Sequence, residues 1–327
     1  MRFLLYGFGV MNQMVASCVA KTPHKIVGVV DSDEKKVGKN LTAYGLPFDV
    51  VISPSLHNVP IADVAIHATG SSLDAVVEQI VGLFRRGMNV VSSCEELSYP
   101  FENKYFQYLA TNAYNHHVLG VGSGVNPGFA MDALPLSLAP VLHAPVVSAE
   151  IVRQQDASNR RRQFVEKIGT GLCIDEFHTR VKSGKLCHVG LRESCRIVAD
   201  ALGMKPYLVS EETIEPIIAE QEHNHNGTVI PAGRVLGVTQ SVEAYTADEK
   251  KNVLLVFNAA LGLSESFEQA TFLLDDRTIY ALRTNGIHGD KATAARLVST
   301  ALGVYDLWSH GKCGIITPDK VPVKYIF

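Results

Sequence analysis

Five times within the first 130 residues, a short apolar run ends in small or acidic residues. The stretches are 3–6, 24–33, 62–72, 87–96 and 116–129. The first leads into Met11, Val15, Cys18 and Val19, which fall at helical spacing, and Leu73 to Arg86 repeats that spacing after the third. Nearly continuous apolar runs are what strands buried on both faces require. Strands alternating with helices form right-handed βαβ units around a parallel sheet. The chain therefore reads as α/β, with an N-terminal Rossmann domain over residues 1–130.

Near residue 145 the texture changes. Residues 144–158 alternate apolar and polar side chains, as a half-exposed strand does. Residues 169–204 read as two helices joined by a Ser-Gly turn, and 208–218, 228–246, 251–261 and 278–285 read as strands. This pattern predicts an inserted α+β domain over 131–285, with a mostly antiparallel sheet and helices on one face. After the turn at 288–290, a long amphipathic helix returns to the first domain, so 286–327 forms a C-terminal segment.

Arg2 and the apolar run ending at Cys18 also resemble a lipoprotein leader. Two glycines and the polar pair Asn12-Gln13 break the apolar stretch such a leader needs, so the strand reading is preferred. A net charge of −3 offers no basic field for nucleic acid. Nowhere do 18 apolar residues run unbroken, so no membrane span is expected. Six scattered cysteines without a C-x-x-C suit a reduced, cytoplasmic protein with free thiols.

The chemistry is expected at the strand ends. In Gly7-x-Gly9-x-x-Asn12, Gly7 permits a tight turn and Gly9 lets a pyrophosphate approach the helix N-terminus. Residues Gly7, Phe8, Gly9, Val10, Met11 and Asn12 are therefore expected to hold a dinucleotide. Asp31 ends the second strand, where an acid binds ribose hydroxyls and repels a 2′-phosphate. It favours NAD over NADP. Lys35 and Lys36 are read as a solvated face. Ala68, Thr69 and Gly70 leave room for the cofactor, and His67 is read as a structural histidine. Ser93 and Cys94, counted among the cofactor-binding residues, precede the acid pair Glu95-Glu96, either of which fits a general base or a cation stabiliser. Cys94 itself reads as core. In 122–129, Asn126 and Pro127 border the expected nicotinamide position, with Pro127 placed to open a helix. Of the three arginines 160–162, Arg161 is expected, with His288, to bind the substrate. The His-rich stretch 223–227 reads as a turn, and no metal site is expected.

Blocks such as "GFGVMN", "HATGSS", "NVVSSCEELSYP", "GSGVNPGFAMDALP", "DASNRRRQFVEKIGTGL", "HVGLRES" and "HGDKATAA" occur in this order. Together they resemble 2,4-diaminopentanoate dehydrogenases and native amine dehydrogenases. The resemblance implies the dihydrodipicolinate reductase-like fold, a homodimer, and reversible NAD(P)-dependent deamination of an amine to a ketone and ammonia. It places the catalytic carboxylate in the "CEEL" block, at Glu95 or Glu96. The chain departs from the family at Asn12, usually glycine, and after residue 300. Two alternatives remain. One is an oxidoreductase like dihydrodipicolinate reductase or homoserine dehydrogenase, which rely on Lys or His for proton transfer. The other is a nucleotide-binding module without turnover.

Overall fold

The computed structural model spans residues 1–327 and describes all of them except Arg161, Cys187, Asn226 and the side chain of Gln163. The chain packs as two units, Met1–Phe129 with His288–Phe327, and Ala130–Ile287. The first unit opens with β1 (Arg2–Tyr6), α1 (Val10–Val19), β2 (Lys25–Val30), β3 (Ile52–Ser53) and β4 (Val64–His67). It continues through α2 (Leu73–Arg85), β5 (Asn89–Ser92), α3 (Phe106–Asn115) and β6 (Leu119–Gly122). Side chains alternate along β1, yet both of its faces are buried. Phe3 and Leu5 pack with Val15 and Val19 of α1, while Leu4 packs with Val76 and Ile80 of α2. That double covering is why the strand reads as an unbroken apolar run.

The second unit contains α4 (Ala133–Leu136), β7 (Val146–Asp156), α5 (Arg162–Lys167), α6 (Ile174–Lys182) and α7 (Leu191–Ala201). Strands β8 (Tyr207–Val209), β9 (Thr213–Ile218), β10 (His223–His225) and β11 (Thr228–Ile230) follow. Then come β12 (Val235–Thr246), β13 (Asn252–Ala260), β14 (Phe267–Leu274) and β15 (Ile279–Arg283). The main sheet runs β15-β14-β7-β13-β12-β8, with β9 on the other half of β12. Only β7 and β13 pair in parallel; the other ladders are antiparallel. Helix α7 packs on β12 and β13.

The chain then returns to the first unit with α8 (Gly289–Ser309), which packs on α1, β4 and β5. It closes with β16 (Gly314–Ile315), parallel to β6. The first sheet has the order β16-β6-β5-β4-β1-β2-β3, with every pairing parallel. Its connectivity reverses between β1 and β4, the switch point where such sheets bind ligands at their carboxyl ends.

Several elements differ from the sequence reading. Strand β14 was not anticipated, because its inward positions start with Glu268 and break the apolar alternation. Residues 223–225, read as part of a turn, pair with β11 in a short hairpin. Of the arginine run, Arg162 opens α5. Pro127 does not open a helix: it follows a cis peptide bond inside a turn, and the next helix begins at Ala133. Gly128 beside it adopts φ +119°, outside the helical region.

Candidate active site

At its first position the phosphate loop has room only for glycine. Gly7 sits at φ +83°, and a Cβ there would lie 2.7 Å from the Ala68 carbonyl oxygen. Gly9 is the N-cap of α1, where no side chain caps the helix. A Cβ on Gly9 would meet nothing within 4 Å. The first-turn N–H groups of this ten-residue helix are left without a side-chain cap, which fits the pyrophosphate of a dinucleotide. Asn12, where a third glycine is usual, is fully buried. Its amide donates to the carbonyls of Gly7 (2.6 Å), Tyr6 (3.2 Å) and Ile66 (3.2 Å). The side chain thus ties β1 to β4 behind the loop, and the departure from the family pattern leaves the loop held rather than disrupted. Phe8 is also fully buried and shapes the loop from behind, its ring edge-on to Tyr44.

Asp31 stands just past β2, facing that loop. Its carboxylate accepts the N–H groups of Phe8 (2.6 Å) and Asp33 (2.8 Å) and the Lys36 ammonium (3.1 Å). Burial alone would raise this carboxyl, but those donors outweigh it and hold it below the usual carboxylate range. Lys36 is therefore no solvated side chain. It bridges Asp31 and Asp33 and compensates part of the charge expected to exclude a phosphate.

The two glutamates behave differently. They begin a turn of 3₁₀ helix, Glu95–Ser98, that follows β5. Glu96 Oε2 accepts the Leu73 N–H (2.7 Å) and the Ser72 hydroxyl (3.3 Å), so it caps α2. Glu95 precedes that cap and has one carboxylate oxygen buried. The turn is pinned by β6, since a Cβ on Gly122 would lie 2.3 Å from the Ser98 nitrogen and 2.5 Å from the Leu97 carbonyl carbon. Cys94 is fully buried, its thiol donates to the Ser71 carbonyl (3.2 Å), and burial pushes that thiol up to about 12. A thiol so enclosed and held protonated is no nucleophile. His67 is buried and neutral, its imidazolium held down at about 4 by burial.

A second polar cluster lies inside the other unit. Arg153 and Glu268 are 2% and 3% exposed and pair at 3.2 Å on the covered face of the sheet. Glu268 also accepts the Ile287 N–H (3.0 Å) and the Thr284 hydroxyl. Arg153 and Gln155 both donate to the Ile287 carbonyl. Arg160 donates to Gln155 Oε1 (2.9 Å) and lies over the Phe164 ring. His188 stacks on Phe257 at 4.7 Å. Burial, with the cations Lys167, Arg153 and Arg160, lowers its imidazolium to about 3. Gln240 clamps the His188 backbone at both its N–H (2.8 Å) and its carbonyl (2.9 Å). Among these residues, sequence reasoning had flagged only the arginine run.

Residues 129–260 match the family model of the 2,4-diaminopentanoate dehydrogenase C-terminal domain. The 2,4-diaminopentanoate dehydrogenase of Acetoanaerobium sticklandii is 28% identical over 262 residues, covering 76% of this chain and 73% of that protein. The chain is similar to 2,4-diaminopentanoate dehydrogenase. In fold it matches an amine dehydrogenase from Mycobacterium smegmatis with a TM-score of 0.80 at 21% identity, over 99% of this chain and 97% of that one. A scyllo-inositol dehydrogenase from Lactobacillus casei shares the fold at TM-score 0.62 and 10% identity, over 98% and 91% of the two chains.

The remaining expected residues fall as follows. Val10 and Met11 form the first turn of α1, and Ala68, Thr69 and Gly70 form the turn after β4. The Ser93 N–H is used by the His67 carbonyl (2.9 Å). Asn126 is buried beside Pro127, and the nearby Val125 N–H is taken by the Thr293 hydroxyl (3.2 Å). His288 is the N-cap of α8, with Nδ1 accepting the Lys291 N–H. Arg161 lies outside the described residues. Of its neighbours, Arg160 turns inward, while Arg162 is exposed and pairs with Glu166.

Proposed function

We propose that the chain is an NAD(P)-dependent amine dehydrogenase, converting an amine and water reversibly to a ketone and ammonia, with Glu95 as its catalytic carboxylate. The observation that carries this reading is the division between the glutamates: Glu96 is spent on capping α2, and Glu95 begins the turn at the carboxyl end of β5. Similarity to 2,4-diaminopentanoate dehydrogenase supports the substrate class.

A bound nicotinamide dinucleotide supplies the hydride acceptor, and Gly7, Gly9, the first turn of α1 and Asp31 would hold it. Loss of hydride from the substrate carbon leaves an iminium cation. The ionised Glu95 stabilises that cation and takes a proton from the water that adds to it. The resulting carbinolamine releases ammonia and leaves the ketone. Asp31 favours NAD, and the Lys36 contact lets NADP be accepted as well. For a substrate that carries a carboxylate, the arginine run 160–162 is our candidate to bind it, and within the second unit Arg160 turns inward onto Gln155.

The face of the β7–β13 sheet opposite α7 is half-buried and mixed in polarity, with Val152, Leu254, Val256 and Leu273 among its residues. It is the surface through which we expect two copies to pair. Free Cys18, Cys94, Cys173, Cys195 and Cys313 support a reducing, cytoplasmic setting. Among the described residues, no helix is long and apolar enough to cross a membrane.

The direct test is spectrophotometric. Reduction of NAD and NADP is followed against a panel of amines that includes 2,4-diaminopentanoate and simple alkylamines. Turnover with an amine is expected. Binding of the nucleotide without turnover on any amine or alcohol would favour a module without catalysis instead.

A further inference from the structure

His67 is a buried titratable group that the proposed reaction does not use. It ends β4 directly opposite Ser92, the last residue of β5. Its Nδ1 lies 2.8 Å from Ser92 Oγ, and its Nε2 lies 2.9 Å from both Gln79 Oε1 and Thr69 Oγ1. Ser92 Oγ accepts the Cys94 N–H at 3.0 Å. Thr69 Oγ1 donates to Gln79 Oε1 at 2.6 Å.

These contacts fix the tautomer. Gln79 Oε1 can only accept, so Nε2 carries the proton and Nδ1 is the acceptor. The Ser92 hydroxyl accepts the Cys94 N–H and donates its own O–H hydrogen bond to Nδ1. The hydrogen bonds therefore run from the Cys94 backbone through Ser92 to His67, and from His67 and Thr69 onto Gln79. Burial keeps the ring neutral, as this arrangement requires.

We propose that His67 is a positioning residue that couples two turns, residues 68–72 beside the phosphate loop and residues 93–98 carrying Glu95. The inference rests on the assignment of Glu95 above. Through Nδ1 the ring sets the start of the glutamate turn; through Nε2 it sets Thr69 and the first half of α2. Purely space-filling packing would need neither polarity.

Two substitutions separate the halves. Asn places an amide atom where the ring has Nδ1, and Gln places one where it has Nε2. H67N should keep kcat within a few-fold and weaken NAD binding, read by calorimetry without turnover. H67Q should keep NAD binding and lower kcat by about tenfold to a hundredfold, the scale of a small misplacement of a reacting group. S92A, which leaves the imidazole in place, should match H67Q. Equal effects of H67N and H67Q on both readouts would overturn the proposal. Should wild type turn over no amine, the calorimetric contrast still tests His67 while the assignment of Glu95 falls. If the variants do not fold, ¹⁵N NMR of the wild type decides: protonated Nε2 with bare Nδ1 is expected, and the opposite tautomer or an imidazolium at neutral pH overturns the proposal.

Discussion

The two sheets solve opposite problems. In the first unit the strands are mostly apolar on both faces, polar side chains falling at strand ends such as His67 and Ser92 and in the turns beyond, at Gly7–Gly9, Asp31, Thr69 and Glu95. In the second, polar side chains point into the covered face of the sheet itself. Arg153, Gln155, Gln240 and Glu268 are all buried there, each with hydrogen-bond or ionic partners. A strand-end site can change its turns without disturbing the core. A site built into a sheet face makes stability and function share the same residues.

That contrast is broken most sharply at the buried ion pair. Glu268→Leu should destabilise the protein by about 3–5 kcal/mol, because it strands the Arg153 guanidinium in a dry interior. Adding Arg153→Met should restore much of the loss, since an apolar pair carries no desolvation cost. Urea denaturation checks both variants. If the single substitution costs no more than a surface change, the cluster is not held by its charge pair. In the first unit, Asp31→Ser should weaken NAD by about 1–3 kcal/mol, the range for charge-assisted hydrogen bonds.

Protonation sharpens the comparison further. The unfolded chain carries histidines near 6.5, whereas His67 titrates at about 4 and His188 at about 3 when folded. Between those limits the unfolded state binds more protons, so stability falls as pH drops. Each histidine should cost about 2 kcal/mol between pH 7 and pH 5. Melting curves of wild type and of a His188→Phe variant measure it; an unchanged pH slope in the variant contradicts the burial of a neutral His188. The smallest effect concerns Lys36. Lys36→Met should shift the NAD-to-NADP ratio of kcat/KM toward NAD by about tenfold, or 1.4 kcal/mol. No change would show that Lys36 does not offset Asp31.

The same contrast explains what the amino-acid order disclosed. Parallel strands covered on both faces read plainly, as did Gly7, Gly9 and Asp31, because turn chemistry leaves its mark at fixed offsets. Strand β14 was hidden by Glu268, whose partner Arg153 lies more than a hundred residues away in the chain. The His188–Gln240 clamp is equally non-local. At Pro127 the local preference for a helix start gives way to a turn in which Gly128 takes φ +119° and a Cβ would lie 2.6 Å from the Gly124 nitrogen. Which glutamate caps α2 depends on where Leu73 and Ser72 lie in space, and no spacing rule contains that.

The division between Glu95 and Glu96 is the central claim, and one pair of kinetic measurements tests it. Both residues are replaced by Gln, which keeps size and hydrogen bonding but removes the charge. Glu95→Gln should lower kcat about 10²–10⁴-fold, the scale of general acid–base groups, with NAD affinity little changed. Glu96→Gln should be only mildly slower and should lose stability, through a weakened cap on α2, by about 1 kcal/mol. A Glu95→Gln enzyme that retains more than about half of wild-type kcat, far short of that scale, would contradict the account.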